Sequence, residues 1–526
     1  MNTTSFEQKK QLLAELVAIP SITGTESEKL FPKHLYNRLL QLDYFNQHRE
    51  YLHLGESPQS AEFLTALYKH EHATKTVVMM SHFDVVSVEN YGELDSIAFD
   101  IEQVTEWFHS HESQFSGSTL KDIQTGEYIF GRGAMDMKAG LVIQLSILEK
   151  AIKESWAINL VLLTVPDEEV NSAGMRAAVE HLYELKTSHN LDYELFLNSE
   201  PVFTQTPGDE QFYVYSGSIG KIMPSVFCYG VETHVGEPLS GLTSTFMLSQ
   251  VTSQIEYNER FREQVDGEET PLPVALYQKD LQESYSVKTP YRSTSLFNVF
   301  LFERSAFDIE KIFREEVGVA VETLNTRAER IGLPKTTVMN FDELLIYAQE
   351  KHGQELVTEW QQEIFSNETF DDRAKASMMI DKILLRCDEL APVVITYFSP
   401  PYYPAVRSKK ADIEPLVELI RTTSQERFNR DVKHLNYFNG ISDLSYLAYK
   451  HARNDASYER NTPGFNWSYS IPFHLMSKLN APVLNVGPLG KDAHKSTERL
   501  HVKSAFNEVP QLIEEVLSKM IEQSGD

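Results

Sequence analysis

The sequence predicts an α/β protein in which a larger domain with a doubly wound, mostly parallel sheet carries an inserted α+β domain. Short apolar runs alternate with segments of helical spacing up to about residue 200, the pattern of a doubly wound sheet. Past Gly208 this alternation gives way to another order of strands and helices. A chain of 526 residues also exceeds the size at which one hydrophobic core keeps growing, so we expect at least two domains.

The predicted strands of the larger domain are short and almost wholly apolar. They cover residues 76–80, 158–165, 195–197 and 483–486. They are too short and too apolar for surface helices, so we expect buried parallel strands. Helical spacing recurs over residues 8–17, 26–42 and 139–153. We therefore assign residues 1–210 and 391–526 to this larger domain, which we interpret as the catalytic, metal-binding domain from the candidate residues described below.

The middle of the chain, residues 211–390, has the pattern of a separate small domain. Residues 214–230 are predicted to form one or two strands, 242–257 a helix, 294–302 a strand, 309–331 a long helix and 336–340 another strand. This succession approximates a β-α-β-β-α-β order. This is the order of a ferredoxin-like α+β domain. Residues 345–390 are charged and mostly helical, and we interpret them as an extra segment of the inserted domain.

Composition restricts the function classes. The chain has 48 basic and 76 acidic side chains, a net charge of -28, which argues against nucleic acid or an anionic membrane as a partner. The start lacks the apolar core of a signal peptide, and no run reaches about 18 apolar residues. We therefore expect a cytoplasmic protein. With only Cys228 and Cys387, any metal must be held by histidine and carboxylate.

Candidate ligands lie at the ends of the predicted strands, where an open α/β sheet forms its sites. The first pair is His82 and Asp84. Alternation along a strand places both on one side, so Asp84 can hold the His82 ring by its second nitrogen, as in many metal-bound histidines. Taken alone, the pair is also typical of a buried histidine that is simply hydrogen-bonded.

Asp136 follows the glycine-rich segment Gly131-Arg132-Gly133. The segment lacks the Gly-Lys-Ser/Thr signature and the full Gly-x-Gly-x-x-Gly spacing, so we set a phosphate-loop interpretation aside. We interpret the glycines as a tight turn that places Asp136 at the mouth of the crevice. Its two oxygens suit a bridge between two cations, and a cap for the helix at 139–153 is the other interpretation.

Residues 166–169 place three carboxylates, Asp167, Glu168 and Glu169, after a strand that is otherwise apolar. Negative charge of that density is costly unless water or a cation compensates it. One Glu is then expected to bind metal while the other takes a proton from a metal-activated water. A solvated acidic loop stays an open alternative.

The last candidates are Glu200, before Pro201, and His494, after the Gly-Pro-Leu-Gly turn at residues 487–490, with Glu498 one helical turn beyond. Each is weak by itself, because a Glu before Pro and a histidine near a turn are common. Five acidic or histidine terminations along one sheet edge are a much rarer coincidence.

Together these motifs resemble the M20 metallopeptidases and deacylases, the family of acetylornithine deacetylase, succinyl-diaminopimelate desuccinylase and aminoacylase. The resemblance spans nearly the whole chain and implies a zinc-peptidase type fold. It implies that His82 and Glu200 bind one zinc, that Glu169 and His494 bind the other, and that Asp136 bridges the two. It further implies that Glu168 is the general base and that Asp84 orients His82.

The middle domain is similar to the lid and dimerisation domain of that family. The segment around His234, from Gly230 to Gly241, matches a His, Pro and Gly pattern that precedes the lid helix. The resemblance implies that His234 reaches the site of a neighbouring subunit in a homodimer and stabilises the oxyanion. A loop histidine without a catalytic role is the alternative.

Within the family the chain is most similar to the RocB-type arginine-utilisation proteins, on the segments 81–92 and 397–404. Gly440, Ser442 and Asp443 resemble the family's glycine-rich turn, whose main-chain N–H groups can hold a substrate carboxylate. An ordinary Asx turn fits the same residues.

The sequence therefore predicts a two-zinc hydrolase that cleaves an amide, peptide or ureido bond of a small amino-acid derivative, in arginine utilisation. Cobalt and manganese suit the same ligands as zinc. The alternatives are an inactive M20-like scaffold used for binding and a two-metal phosphohydrolase. The scaffold is disfavoured because all five ligands and the base are present, and the phosphohydrolase is disfavoured by the lid pattern.

Overall fold

The computed structural model describes residues 3–58, 60–206, 208–282, 284, 287–449 and 455–522. Its helices are α1 Phe6–Val17, α2 Glu26–Leu39, α3 Asp43–Gln47, α4 Ile101–Ser110, α5 Gly117–Thr125, α6 Ala139–Glu154, α7 Ala173–Ser188, α8 Ser244–Ile255, α9 Ala306–Arg330, α10 Phe341–His352, α11 Gln354–Phe365, α12 Asp372–Leu384, α13 Lys410–Phe428, α14 Ala456–Asn461, α15 Phe473–Met476 and α16 Val509–Glu522.

Its strands are β1 Leu52–Gly55, β2 Phe63–Tyr68, β3 Lys75–His82, β4 Tyr128–Phe130, β5 Asn159–Val165, β6 Asp192–Asn198, β7 Phe212–Tyr215, β8 Gly217–Ser218, β9 Gly220–Tyr229, β10 Gln264–Val265, β11 Glu268–Glu269, β12 Val274–Asp280, β13 Arg292–Leu301, β14 Thr337–Asn340, β15 Val393–Tyr403, β16 Val406–Arg407, β17 Val432–Leu435, β18 Val483–Asn485, β19 Gly490–Lys491 and β20 Arg499–His501.

The chain folds into two compact units. The first contains residues 3–219, 406–449 and 474–522, and the second contains residues 220–405 and 455–473. Each has its own principal sheet, with eight strands in the first unit and five in the second among the described residues.

The sheet of the first unit has the order β1-β2-β5-β3-β6-β18-β7-β17. Its centre is parallel, because β5, β3, β6 and β18 pair in that sense, whereas β1 and β2 at one edge are antiparallel. The predicted α/β class is therefore confirmed, with a sheet that is parallel at its centre and antiparallel where β2 meets β5 and where β7 meets β18.

Helices α6 and α7 connect the central strands in opposite directions. The chain passes from β3 through α4, α5, β4 and α6 to β5 on one side, and then from β5 through α7 to β6 on the other side of β3. Because such crossovers are right-handed, reversing the direction places α6 and α7 on opposite faces of the sheet. As a result, the carboxyl ends of the parallel strands β3, β5 and β6 lie at the same edge of the sheet.

Helix α6 is the most buried helix of the first unit. Its residues 139–149 are all buried, as expected for a helix that is apolar nearly all round. It packs on β3 and β5 and contacts α1 and α16. The core of this unit therefore continues on both sides of α6.

The sheet of the second unit has the order β12-β13-β9-β15-β14. The segments β9-α8-β12-β13-α9-β14 form a β-α-β-β-α-β series. Strand β12 is not among the predicted segments, whereas the other five elements overlap them. Strand β15 is inserted between the first and last strands of that series, antiparallel to β9 and parallel to β14. The inserted domain is thus ferredoxin-like with one additional central strand.

Helices α10, α11 and α12 form the charged segment that was predicted to be an extra part of the inserted domain. Their apolar side chains, including Leu344, Trp360 and Ile380, form one buried cluster with Phe227 of β9 and Ile395 of β15. The segment is therefore a layer packed on the sheet of the second unit.

The predicted return to the catalytic domain at residue 391 needs correction. Residues 393–403 form β15 and hydrogen-bond on both sides within the second sheet, so the return comes at Val406. Residues 455–473 also belong to the second unit, where Ser457 and Asn461 of α14 donate hydrogen bonds to Glu310 of α9. The first boundary, predicted at residue 210, lies at residue 219.

Cys228 and Cys387 are both buried free thiols. Among the described residues, no helix is both long enough and apolar enough to span a bilayer.

Leu162→Ala is expected to lower the free energy of unfolding of the first unit by about 2–5 kcal/mol, because it removes a fully buried side chain from β5 and leaves a cavity. Urea unfolding monitored by circular dichroism measures this change. The matched control is Leu30→Ala on α2, whose side chain is 61% exposed; a shift beyond about 0.5 kcal/mol is not expected there. Equal effects of the two variants would contradict the assignment of the core.

Candidate metal centre

The predicted site residues of the first unit meet at the carboxyl ends of its parallel strands. His82 is the last residue of β3, residues 166–169 follow β5, Glu200 follows β6, and His494 lies in the segment after β18. Because these strands are parallel neighbours, their ends share one edge of the sheet. Asp136 reaches the same place from the turn that precedes α6.

The first ligand triad is His82, Asp136 and Glu200, and all three residues are buried. His82 Nε2 lies 3.3 Å from Asp136 Oδ1 and 3.5 Å from Glu200 Oε1. His82 Nδ1 donates to the main-chain carbonyl of Asp84 at 3.0 Å. A neutral ring that donates from Nδ1 presents the lone pair of Nε2, which is the form that binds a metal.

The second triad is Asp136, Glu169 and His494. His494 Nε2 lies 3.2 Å from Asp136 Oδ2 and 3.0 Å from Glu169 Oε2. The His494 side chain is 50% exposed, so this triad is more open to solvent than the first. Asp136 directs one carboxylate oxygen to each triad, as a ligand that bridges two ions must.

The geometry of both triads fits a metal ion. Ligands held tetrahedrally about 2.0–2.2 Å from zinc are separated from one another by about 3.4 Å. The atoms of each triad lie within 4.8 Å of one another, and the pairs measured above lie at 3.0–3.5 Å. One imidazole and two carboxylates per triad are also a donor set that suits zinc, cobalt or manganese.

The electrostatics of the cluster favour bound cations. Burial, with the charges of Asp136 and of other acidic neighbours, raises the pKa of Glu200 and of Glu169 above the usual range. The two imidazoles partly offset this effect, and hydrogen bonds to Asp136 and Glu169 raise the pKa of His494 to about 11. A buried group of carboxylates with so few positive charges is costly unless cations neutralise it.

Glu168 belongs to neither triad, yet it lies beside them. Its Oε2 is 3.9 Å from His82 Nε2. Burial raises the pKa of Glu168 well above its usual range, His82 opposes that shift, and the negative charge of Asp443 adds to it. A carboxyl group in this position has the environment of a general acid–base catalyst.

Asp84 has a wider role in the structure than the sequence suggested. Its Oδ1 lies 3.5 Å from His82 Nδ1, farther than the main-chain carbonyl that receives the His82 proton. The carboxylate instead accepts hydrogen bonds from the main-chain N–H groups of Glu168 at 3.1 Å and Glu169 at 3.2 Å. Asp84 therefore holds the acidic loop, residues 166–169, through its carboxylate, and it orients the His82 ring through its main-chain carbonyl.

Glu28 is a site residue that the sequence did not reveal. This fully buried side chain of α2 accepts a hydrogen bond from the N–H of Asp167 at 3.1 Å and another from Gly24 at 2.8 Å. Burial, reinforced by the charge of Asp84, raises the pKa of Glu28 to about 8. Three successive amides of the acidic loop, residues 167–169, thus donate to buried carboxylates.

The sequence carried no signal for Glu28. An acidic residue in the first turn of a helix is ordinarily a favourable partner of the helix dipole. Its contact with a loop 139 residues away in sequence is visible only in the folded chain.

Glu200 is held by tight packing of its main chain. Its carbonyl accepts a hydrogen bond from Asn485 Nδ2 at 3.1 Å. A Cβ on Gly487 would lie 1.8 Å from the same oxygen, so only glycine permits this approach of the two loops. The glycine-rich turn after β18 therefore positions Glu200 as well as His494.

The predicted substrate turn, with Gly440, Ser442 and Asp443, lies in the first unit. Each of these residues makes a different kind of contact. Ser442 Oγ accepts a hydrogen bond from Leu444 N at 3.3 Å, as in an ordinary capping turn. A Cβ on Gly440 would approach the rings of Phe438 and Phe203. Asp443 is buried, and burial raises its pKa to about 7 while His82 and the Ser172 hydroxyl act to lower it. Its carboxyl group therefore lies close to the ligand cluster.

His234 belongs to the second unit, where it lies exposed in the loop after β9. Its Nδ1 accepts a hydrogen bond from Gly236 N at 3.0 Å. In the neutral ring the proton is then on Nε2, which is free to act as a donor. The role of His234 in a partner subunit stays a prediction.

Comparison with known proteins identifies the family. Residues 78–517 match the profile of Peptidase family M20/M25/M40. The chain belongs to this family. The resemblance inferred from the motifs is thereby confirmed, and this M20 protein is a metal-dependent hydrolase that acts on carbon–nitrogen bonds.

Two relatives from Bacillus subtilis match the M20 chain along almost its whole length. It is 40% identical to the uncharacterized protein YqjN, over 100% of this chain and 98% of YqjN. It is 28% identical to Protein RocB, over 98% of this chain and 95% of RocB. The predicted kinship with RocB is therefore confirmed.

Solved structures show the same fold at low sequence identity. An M20 family metallo-carboxypeptidase from Sulfolobus solfataricus superposes with a TM-score of 0.56 at 11% identity, covering 98% of this chain and 99% of that one. A tripeptidase from Staphylococcus aureus has a TM-score of 0.56 at 14% identity, covering 99% and 100%. The dipeptidase Dug1p of Saccharomyces cerevisiae has a TM-score of 0.55 at 11% identity, covering 98% and 96%.

Glu28→Gln is expected to weaken Zn²⁺ binding at the Glu169 triad by about 10- to 100-fold, the usual effect of losing a residue that supports a ligand. The new NH₂ group would face the N–H of either Asp167 or Gly24, and the acidic loop would shift. Zn²⁺ titration against a competing chelator measures the change. Glu26→Gln alters an exposed carboxylate of the same helix and is the control; equal affinity in both variants would contradict this role for Glu28.

Proposed function

We propose that this M20 protein is a two-zinc hydrolase that cleaves an amide, peptide or ureido bond of a small amino-acid derivative. The observation that carries the proposal is the placement of Asp136, whose two oxygens address two different triads, while Glu168 stays outside both. Two bridged ions and one adjacent base are the elements that metal-assisted hydrolysis requires.

When bound, the ions would supply Lewis acidity that lowers the pKa of a water molecule and polarises the scissile carbonyl. Glu168 would take the proton of the attacking water and later deliver it to the leaving nitrogen. Its raised pKa supports the second step, because a carboxyl group that keeps a proton more readily is a better acid–base catalyst near neutral pH. Asp84, through the N–H of Glu168, would hold the base in place.

His234 would complete the site from the second unit of a partner subunit, as the family resemblance implies. Its exposed ring and the acceptor role of Nδ1 support this proposal, because they leave Nε2–H as a donor for an oxyanion. We accordingly propose a homodimer in which the second unit forms the subunit contact.

We propose that the substrate turn acts mainly through Asp443. Its buried carboxyl group beside the metal ligands suits a hydrogen-bond donor of the substrate, such as an amide N–H or a guanidinium, better than a carboxylate. Such a preference would agree with an arginine derivative. The resemblance to RocB-type arginine-utilisation proteins supports that substrate class, and the identity of 28% along both chains is compatible with it.

Glu168→Gln is expected to retain both metal ions and to lower kcat by about 10²- to 10⁴-fold, because an amide cannot take the proton of the water. Metal content by elemental analysis and turnover of a cleaved substrate test both parts. Glu180→Gln, an exposed change on α7, is the control. Turnover at the parent rate in the Glu168 variant would refute its assignment as base.

Removal of metal with a chelator is expected to abolish hydrolysis, and Zn²⁺, Co²⁺ or Mn²⁺ is expected to restore it. The assay panel contains N-acyl amino acids, dipeptides, amides and ureido derivatives of arginine, and one generic phosphoester. Cleavage of carbon–nitrogen substrates alone supports the proposal. A negative panel with metals bound would favour a binding scaffold, and efficient cleavage of the phosphoester would favour a phosphohydrolase.

A further inference from the structure

We propose that the buried ion pair of Arg132 and Glu498, together with Asn90, positions the ligands of the second triad and so determines whether the second metal ion is retained. The inference rests on the proposed two-metal function. It concerns residues that contact the main chain of the ligands, and they are positioning residues.

Arg132 and Glu498 meet because β20 pairs with β4. Arg499 is opposite Phe130 in that antiparallel pair, which brings Glu498 next to Gly131, whose N–H donates to the Glu498 carbonyl at 3.3 Å. Arg132 Nη1 donates to Glu498 Oε2. Both side chains are only 1% exposed, and the guanidinium also lies 5.2 Å from the centre of the Tyr91 ring.

Glu498 holds the segment that carries the bridging ligand. Its Oε1 accepts hydrogen bonds from the main-chain N–H of Met135 at 3.3 Å and of Asp136 at 3.4 Å. Its other oxygen is occupied by Arg132. The carboxylate therefore connects the bridging ligand directly to the ion pair.

Arg132 and Asn90 hold the main chain of His494, another ligand of the second triad. The carbonyl of His494 accepts hydrogen bonds from Arg132 Nη2 at 3.1 Å and from Asn90 Nδ2 at 2.6 Å. Asn90 Oδ1 in turn accepts from Arg132 Nη2 at 3.1 Å. The planar guanidinium of Arg132 thus donates to Glu498 from Nη1 and to the His494 carbonyl from Nη2.

His494 depends on this support more than the other ligands do. Its φ is +64°, a conformation that a non-glycine residue keeps only when its surroundings enforce it. Its side chain is half exposed, so packing does little to hold the ring. The first triad has no corresponding dependence for His82, which lies buried within β3.

The test compares metal content and spectra of folded variants. Because Asp136 is shared by both triads, Glu498→Gln is expected to weaken binding of the first Co²⁺ ion slightly, by less than about 10-fold, and of the second about 10- to 100-fold. Its Co²⁺ absorption spectrum at one equivalent should match that of His494→Ala and differ from that of His82→Ala. With Mn²⁺, the electron paramagnetic resonance signal of two coupled ions should be replaced by that of single ions.

Arg132→Lys separates positioning from charge. The ammonium keeps the positive charge beside Glu498, but it lacks the planar fork that joins Glu498 to the His494 carbonyl. We expect this variant to fold and to lose second-site affinity nearly as much as Glu498→Gln. Retention of two tightly bound ions in Arg132→Lys would overturn the positioning role.

The control is Glu508→Gln, which breaks a second ion pair of the first unit, with Arg430 at 2.9 Å, that does not contact the ligands. It is expected to bind two ions as the parent does.

If Glu498→Gln does not fold, Asn90→Ala tests the positioning role instead. Asn90 is exposed, and its loss is expected to weaken the second site about 10-fold. Unchanged second-site affinity in the folded variants refutes the inference, whereas failure of the parent protein to bind two ions refutes the proposed function instead.

Discussion

The concentration of negative charge at one sheet edge is the constraint on which the rest of the structure depends. Glu168, Glu169 and Glu200 lie at the ends of parallel strands, and Asp136 joins them from the turn before α6. The neighbouring imidazoles of His82 and His494 only partly neutralise these carboxylates. Such a group is stable only when each carboxylate is fixed and hydrogen-bonded or when cations are bound. The surrounding contacts accordingly hold main-chain groups of the ligand segments in place.

Three sets of residues make those contacts. Glu28 and Asp84 accept hydrogen bonds from the amides of residues 167–169 in the acidic loop. Gly487 and Asn485 confine the carbonyl of Glu200, and the buried ion pair of Arg132 and Glu498 hydrogen-bonds to the main chain of His494 and Asp136. In each case the supporting residues contact main-chain groups of the ligand segments, so the side chains of the ligands stay available to bind metal. The arrangement explains why so many polar groups are buried close to this edge.

The sequence predicted the ligands because their signals are local. His82, Glu169 and Glu200 come at or just after short apolar runs, and Asp136 and His494 come after glycine-rich turns. It predicted the α/β class and five of the six elements of the β-α-β-β-α-β series for the same reason. It failed for β15, because nothing in residues 393–403 indicates which of two sheets will accept a strand. Glu28 and Asn90 were also missed, since their roles depend on contacts between residues far apart in the chain.

The insertion of β15 between β9 and β14 has a consequence for how the chain folds. Strand β9, residues 220–229, finds its central neighbour only after residues 393–403 have been made, and the sheet of the first unit likewise awaits β17 and β18. Pairings of such long sequence separation are slow to form. During synthesis both units therefore keep unpaired strand edges until most of the polypeptide has left the ribosome, a period in which association with other nascent chains competes with folding.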